Sequence, residues 1–194
     1  TTTGAGTIGI YGDSYGGGNG SYNGVTFNGG TTIQSASGNI TVVGALTNAN
    51  TASASGVSFF NTAATTGSVQ IISSAGNISI TGKQYASNAS TYGIGQWSNG
   101  NVYLGSPSSG SFTATGNVTL YGSNYSGAGN NTLNIKTTGA VTLAPTASAF
   151  TATVSNLNLV LSGSESSFTL GSATNTSAIT LATNVSIKGP ITVY

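Results

Sequence analysis

Apolar residues along this chain come in short alternating runs. Ile40-Thr41-Val42, Ile78-Ser79-Ile80, Val118-Thr119-Leu120 and Val141-Thr142-Leu143 each set a hydroxyl between two apolar side chains. A period of two sends the apolar pair to one face of a strand and the hydroxyl to the other, so each run predicts a short strand buried on one side. No stretch has the i, i+3, i+4 spacing of an amphipathic helix, and the Gly, Thr, Ser and Asn around the runs are poor helix formers. The pattern predicts an all-β chain with essentially no helix.

The runs recur. GNITV at 38–42, GNISI at 76–80 and GNVTL at 116–120 form one series, with SNLNL at 155–159 as a weaker fourth copy. A second series is GGTTI at 29–33, GSVQI at 67–71, GNVYL at 100–104, GAVTL at 139–143 and SAITL at 177–181. A third is VTF at 25–27, VSFF at 57–60, YGI at 92–94, LNI at 133–135 and FTL at 168–170. Most steps are close to 38 residues, a period that marks a solenoid. Polar stretches at 11–24, 44–56, 81–93, 121–131 and 161–167 separate the copies, and their stacking would place one long loop per repeat along a single edge. Gly and Asn at the corners accept the backbone conformations a sharp turn needs. The economical architecture is a right-handed parallel β-helix, a three-faced β-solenoid with about 38 residues per repeat. One coil per repeat gives about five coils rising ~4.8 Å each, a rod roughly 24 Å long. Residues 1–194 read as a single solenoid segment. Repeat-like strands at both ends, Ile8-Gly9-Ile10 and ITV at 191–193, read as an excerpt of a longer repetitive protein.

Composition narrows the function. Of 194 residues only five are charged: Asp13, Glu165, Lys83, Lys136 and Lys188. Without His or Cys, the usual zinc, copper, haem and iron–sulfur ligands and the common nucleophile–base pairs are missing, so no metal site and no cofactor are expected. Three scattered lysines cannot neutralise a phosphate backbone, which excludes nucleic acid as a partner. No apolar run is long enough for a spanning helix, the three- to five-residue runs are too short for barrel strands, and TTTGAGTIGI lacks the charged and apolar regions of a signal peptide. Hydrophobic residues at 37% still allow a packed core. Two carboxylates, four coils apart in this reading, lie ~19 Å from one another, too far for a glycosidase pair. No enzyme activity and no catalytic residue are expected.

The GN[IV][TS][VIL] motif, followed by Gly, a small-residue loop and a GV-type strand, resembles the repeat of filamentous-haemagglutinin-like and high-molecular-weight adhesins. These are secreted bacterial β-helical exoproteins of two-partner secretion, with autotransporter passengers as relatives. The resemblance covers about residues 24–194. It implies a right-handed parallel β-helix, export to the surface of a Gram-negative cell, and a role in attachment, aggregation, or biofilm and matrix building. The chain departs from that family in its lower charge and in lacking the family's N-terminal secretion domain.

Candidate contact residues are the loop aromatics Tyr11, Tyr15, Tyr22, Tyr85, Tyr92, Trp97, Tyr121 and Tyr125, which stacked loops would gather into a patch for sugar rings or protein. Tyr rings that merely cap the coil ends are the alternative. Asn39, Asn77, Asn117 and Asn184 fit an amide ladder along the rod. The N-x-[ST] sequons at Asn88, Asn124 and Asn130 are candidate glycosylation sites, since some adhesins of this resemblance are Asn-glycosylated. YGDSYGGGNG does not match a calcium-binding repeat. The leading expectation is a non-enzymatic extracellular adhesive rod contacting host or neighbouring cell surfaces or glycans. Alternatives are a filament assembled from copies of the chain, favoured by weak charge repulsion, and an ice- or carbohydrate-binding face of outward hydroxyls at Thr41, Ser79, Thr119, Thr142 and Thr180.

Overall fold

The computed structural model describes residues 1, 4–15, 23–47, 54–60, 67–84, 91–97, 100–109, 112–127, 132–181 and 183–194. Among them every regular element is a strand. The chain lays these strands down in turns of three. The first turn is β1 (Ile8–Ser14), β2 (Val25–Asn28) and β3 (Thr32–Ser35), and the second β4 (Ile40–Leu46), β5 (Ala54–Phe60) and β6 (Val69–Ser73). The third is β7 (Ile78–Lys83), β8 (Thr91–Trp97) and β9 (Val102–Gly105), and the fourth β10 (Val118–Gly122), β11 (Tyr125–Gly127) and β12 (Leu133–Lys136). The fifth is β13 (Ala140–Pro145), β14 (Val154–Leu157) and β15 (Leu159–Leu161). Finally, β16 (Ser167–Leu170) and β17 (Ile179–Leu181) belong to a sixth turn and β18 (Ile191–Val193) to a seventh.

Strands at the same place in successive turns pair in parallel. The first sheet runs β1-β4-β7-β10-β13-β16-β18, the second β2-β5-β8-β11-β14-β17 and the third β3-β6-β9-β12-β15. The fold is therefore an all-β solenoid of stacked parallel sheets. Six steps of ~4.8 Å separate β1 from β18, about 29 Å along the axis.

The register corrects the assignment of strands to series. Ile8, Ile40, Ile78, Val118, Val141, Phe168 and Ile191 stack in one column of the first sheet, so successive turns take 32, 38, 40, 23, 27 and 23 residues. GAVTL at 139–143 and FTL at 168–170 belong to the first sheet, LNI at 133–135 to the third, and SAITL at 177–181 to the second. SNLNL at 155–159 is split between β14 and β15. The cause is that strands of all three sheets alternate alike. Once the turns shorten, a spacing of 38 spans one turn plus a strand or two of the next, and still lands on a matching run.

The shortening is spread over the turn: the second-sheet strands fall from seven residues in the second and third turns to three and four in the fourth and fifth, and the connection between the second and third sheets falls from 61–68 in the second turn to Asn158 alone in the fifth. The connection between the first and second sheets varies separately. It spans 15–24, 47–53 and 84–90 in the first three turns, shrinks to Ser123-Asn124 in the fourth, and lengthens again to 146–153 and 171–178. Of the polar stretch at 121–131, Tyr121-Gly122 and Tyr125–Gly127 are strand, and the stretch at 161–167 lies at the corner between the third and first sheets. Glycine pairs close the first corner. A Cβ on Gly44 would sit 2.0 Å from the carbonyl oxygen of Gly56, and one on Gly82 2.0 Å from that of Gly93. The backbone leaves and returns through that pinch, so long insertions there leave the stacking intact.

The core is built of columns. Ile40 and Val42, Ile78 and Ile80, Val118 and Leu120, Val141 and Leu143, and Phe168 and Leu170 are at most 1% exposed. Each side chain lies on its counterpart one rung away, and full burial contributes about 1.5–3 kcal/mol per side chain. From the second sheet Phe27 stacks on Phe59, with ring centroids 5.7 Å apart. At the corner leading back to the first sheet, buried hydroxyls join the rungs. Ser35 Oγ donates to Gly6 O (3.2 Å) and accepts from Gly38 N (2.9 Å). Ser73 Oγ donates to Gly38 O and accepts from Gly76 N, both at 3.0 Å. Thr137 Oγ1 repeats the pattern with Gly116 O (2.6 Å) and Gly139 N (3.0 Å). Each hydroxyl bonds two backbone groups, and those that are buried, such as Gly38 O and Gly76 N, would otherwise cost about 1–3 kcal/mol apiece.

Candidate functional site

The outer face of the first sheet gathers most of the polar features into three adjacent columns. The first is the asparagine ladder. Asn39 Oδ1 accepts from Asn77 N and Asn77 Oδ1 from Asn117 N, both at 2.8 Å, and Asn117 Oδ1 accepts from Ala140 N at 2.9 Å. Alanine at 140 ends the ladder, and Asn184 lies outside it, between β17 and β18. The second column is Thr41, Ser79, Thr119, Thr142, Thr169 and Thr192, six hydroxyl residues on consecutive rungs. Thr180, expected in this set, lies on β17 in the second sheet, while Thr169 and Thr192 take rungs that the sequence spacing had assigned elsewhere. The third column is Tyr11, Val43, Thr81, Tyr121 and Ala144.

The candidate aromatics separate into different environments. Tyr11 and Tyr15 are 73% and 77% exposed and Tyr121 is 40% exposed. Tyr11 and Tyr121 share a column three rungs apart, about 14 Å. Tyr92 is half-buried on β8, which Trp97 closes. Tyr22 and Tyr85 lie outside the described residues, as does the side chain of Trp97. Tyr125 is corrected to the core: it is 3% exposed, its hydroxyl donates to Leu120 O (2.7 Å) and Ala144 O (3.1 Å), and its ring meets Phe150 edge-on at 5.6 Å. Burial pushes its phenol well above the ordinary tyrosine range. The reason is the two-residue corner of the fourth turn, which puts Tyr125 directly against the body of the solenoid.

The same corner removes Asn124 from the glycosylation candidates. It is 4% exposed, its Oδ1 accepts from Gly93 N at 2.6 Å and its Nδ2 donates to Thr91 O at 3.2 Å. Asn88 and Asn130 lie outside the described residues.

The charges are placed differently from the sequence expectation. Asp13 and Lys83 are strand residues, on β1 and β7, rather than loop residues. Ala45 pairs with Asp13 on one side and Lys83 on the other, so two residues 70 positions apart face outward two rungs apart in one column. With Tyr11, Gly12 and Val43 they line an open depression of about 340 Å³. Sequence spacing gave no signal for this juxtaposition. Lys136 lies over the Tyr103 ring, 5.4 Å from its centroid. Glu165 is fully buried in its turn, accepting from Ser162 N and Oγ (each 2.7 Å) and Gly163 N (2.9 Å). It stands about five rungs, ~24 Å, from Asp13, beyond the roughly 5–9.5 Å over which paired carboxylates cooperate. Among the described residues no three His, Cys, Asp or Glu side chains group where they could hold a metal ion, and no helix is long and apolar enough to cross a membrane. No family model, curated protein or solved structure matches this chain.

Proposed function

We propose that the chain is a non-enzymatic adhesive rod segment, a right-handed solenoid that presents the outer face of its first sheet to a cell or matrix surface. The observation that carries this reading is the six-rung hydroxyl column flanked by Asn39, Asn77 and Asn117 on one side and by Tyr11 and Tyr121 on the other. Such a face offers donors, acceptors and aromatic edges at a fixed spacing with little net charge. It suits many weak contacts to a hydroxyl-rich surface. Location outside a Gram-negative cell and a part in attachment or biofilm enter from the motif resemblance. Against a hydrolytic role stand the burial of Glu165 within its own turn and its distance from Asp13.

The test is attachment of chain-coated beads to cultured cells and to biofilm matrix under flow. A Thr41→Glu/Thr119→Glu/Thr169→Glu variant charges alternate rungs of the face without touching the core. The expected result is attachment by the wild type and its loss in the triple variant. Beads that fail to attach, or a charged variant that attaches equally well, overturn the reading.

A further inference from the structure

We propose that the depression lined by Tyr11, Gly12, Asp13, Val43, Ala45 and Lys83 is a subsite for one neutral hexose unit of a glycan. The proposal deepens the adhesive reading and rests on it.

The cavity, about 340 Å³, is at the small end of the range for ligand sites and suits a single sugar ring. Its wall is Tyr11, 73% exposed, whose ring offers an apolar face to the C–H side of a pyranose. Its floor is small and apolar, Val43 and Ala45, leaving room between the two charged neighbours. Asp13 and Lys83 stand on opposite sides of Ala45, two inter-strand spacings or about 9.6 Å apart at the backbone. A carboxylate accepts from a pair of vicinal hydroxyls, while an ammonium donates to hydroxyl or ring oxygens. One group of each sign leaves the site without net charge, which matches a neutral sugar better than a sialylated or sulfated one. Two of the chain's five charged residues share this one column, next to Tyr11 and Tyr15, the most exposed aromatics among the described residues.

The experiment is titration calorimetry and saturation-transfer NMR on the whole chain with neutral gluco-, galacto- and manno-oligosaccharides, and with sialylated and sulfated oligosaccharides alongside. All three side chains are exposed, so Tyr11→Ala, Asp13→Asn and Lys83→Met should keep the wild-type circular dichroism and melting temperature. Thr180→Val, on the second sheet, is the control. At least one neutral series should bind, with saturation strongest on the ring C–H protons. Tyr11→Ala should weaken binding at least tenfold, Asp13→Asn and Lys83→Met several-fold, and Thr180→Val not at all. Failure of every neutral series, binding of the acidic glycans alone, or a Tyr11→Ala variant equal to wild type overturns the subsite. If Tyr11→Ala beads still attach in the flow assay while no neutral sugar binds, the subsite fails and the adhesive reading stands.

Discussion

Replacing Gly76 with alanine tests whether the rungs are locked at the corner between the third and first sheets. A Cβ on Gly76 would lie 2.1 Å from Gly38 O and 2.3 Å from Gly38 C, both backbone atoms that cannot rotate away. Ordinary contact needs more than an ångström of extra separation, so rungs two and three must part locally. That strains two bonds through Ser73 Oγ, to Gly38 O and from Gly76 N, and the ladder bond from Asn77 N to Asn39 Oδ1. Overpacking costs about 1–3 kcal/mol, and each weakened hydrogen bond about 0.5–1.5 kcal/mol. A total of about 2.5–7.5 kcal/mol is a large share of the roughly 5–15 kcal/mol that stabilises a typical domain. For a chain of this size each kcal/mol moves Tm by about 2–4 °C, so the expected fall is roughly 5–30 °C. Thermal melts followed by far-UV circular dichroism give the measurement. Gly4→Ala is the control: its Cβ would meet nothing within 4 Å, and its melt should match the wild type. A Gly76→Ala variant melting within 2 °C of wild type would show that the corner is not a tight lock.

Ser73→Ala should destabilise by about 1–3 kcal/mol in urea titration, because Gly38 O and Gly76 N lose their buried partner; an unchanged midpoint refutes the hydroxyl-lock reading. Tyr125 should resist ionisation: its folded-state pKa is raised above the unfolded value of about 10, so the stability it confers is intact below pH ~10 and lost as pH rises beyond it. Absorbance titration at alkaline pH should show one tyrosine that titrates only with unfolding, and that late step should vanish in Tyr125→Phe. Glu165→Leu leaves Ser162 N, Ser162 Oγ and Gly163 N without their acceptor and should lower the melting temperature by several degrees, with Glu165→Gln recovering part of the loss. A Leu variant that melts like the wild type would mean the turn does not depend on the carboxylate.

The sequence made the strands legible because alternation depends only on the neighbours of each residue. Ile40, Val42, Ile78, Ile80, Val118 and Leu120 read as inward and are buried, and the corner asparagines at 39, 77 and 117 read as a ladder and form one. What alternation cannot encode is which sheet a strand joins. Val118 and Val141 stack although 23 residues separate them, while the sequence echo ran at 38. The sheet assignment depends on the lengths of all three connections and of the strands between them, while the misplaced loop residues trace to the first corner of the fourth turn. Asn124 and Tyr125 read as loop residues because polar stretches at the same point of earlier turns are long. In the fourth turn Ser123 and Asn124 are the entire connection, and both neighbours face inward. The alignment of Asp13 and Lys83 on either side of Ala45 was invisible for a related reason, since it depends on two turns of unequal length closing in register.

The scarcity of charge follows from the same stacking. A residue repeated on every rung stands ~4.8 Å from its copies above and below. Two like charges at that distance repel by about 0.9 kcal/mol even in bulk water, and more beside a low-dielectric core. Six charged rungs contain five such neighbours, so one lysine column would cost about 4 kcal/mol, approaching the whole stability of a modest domain. Hydroxyl and amide columns carry no such penalty and can bond along the axis, as Asn39, Asn77 and Asn117 do. Selection against repeated charge explains why the ladder columns are neutral and why each charge in the chain lacks a like-charged neighbour in its column. It does not explain Asp13 and Lys83. A solenoid indifferent to their positions would scatter two of its five charges, whereas here they flank one alanine beside an exposed tyrosine. Two strand spacings, about 9.6 Å at the backbone, separate them, and exposed charges at that range add little stability; the proposed subsite gives their placement a use that stability does not.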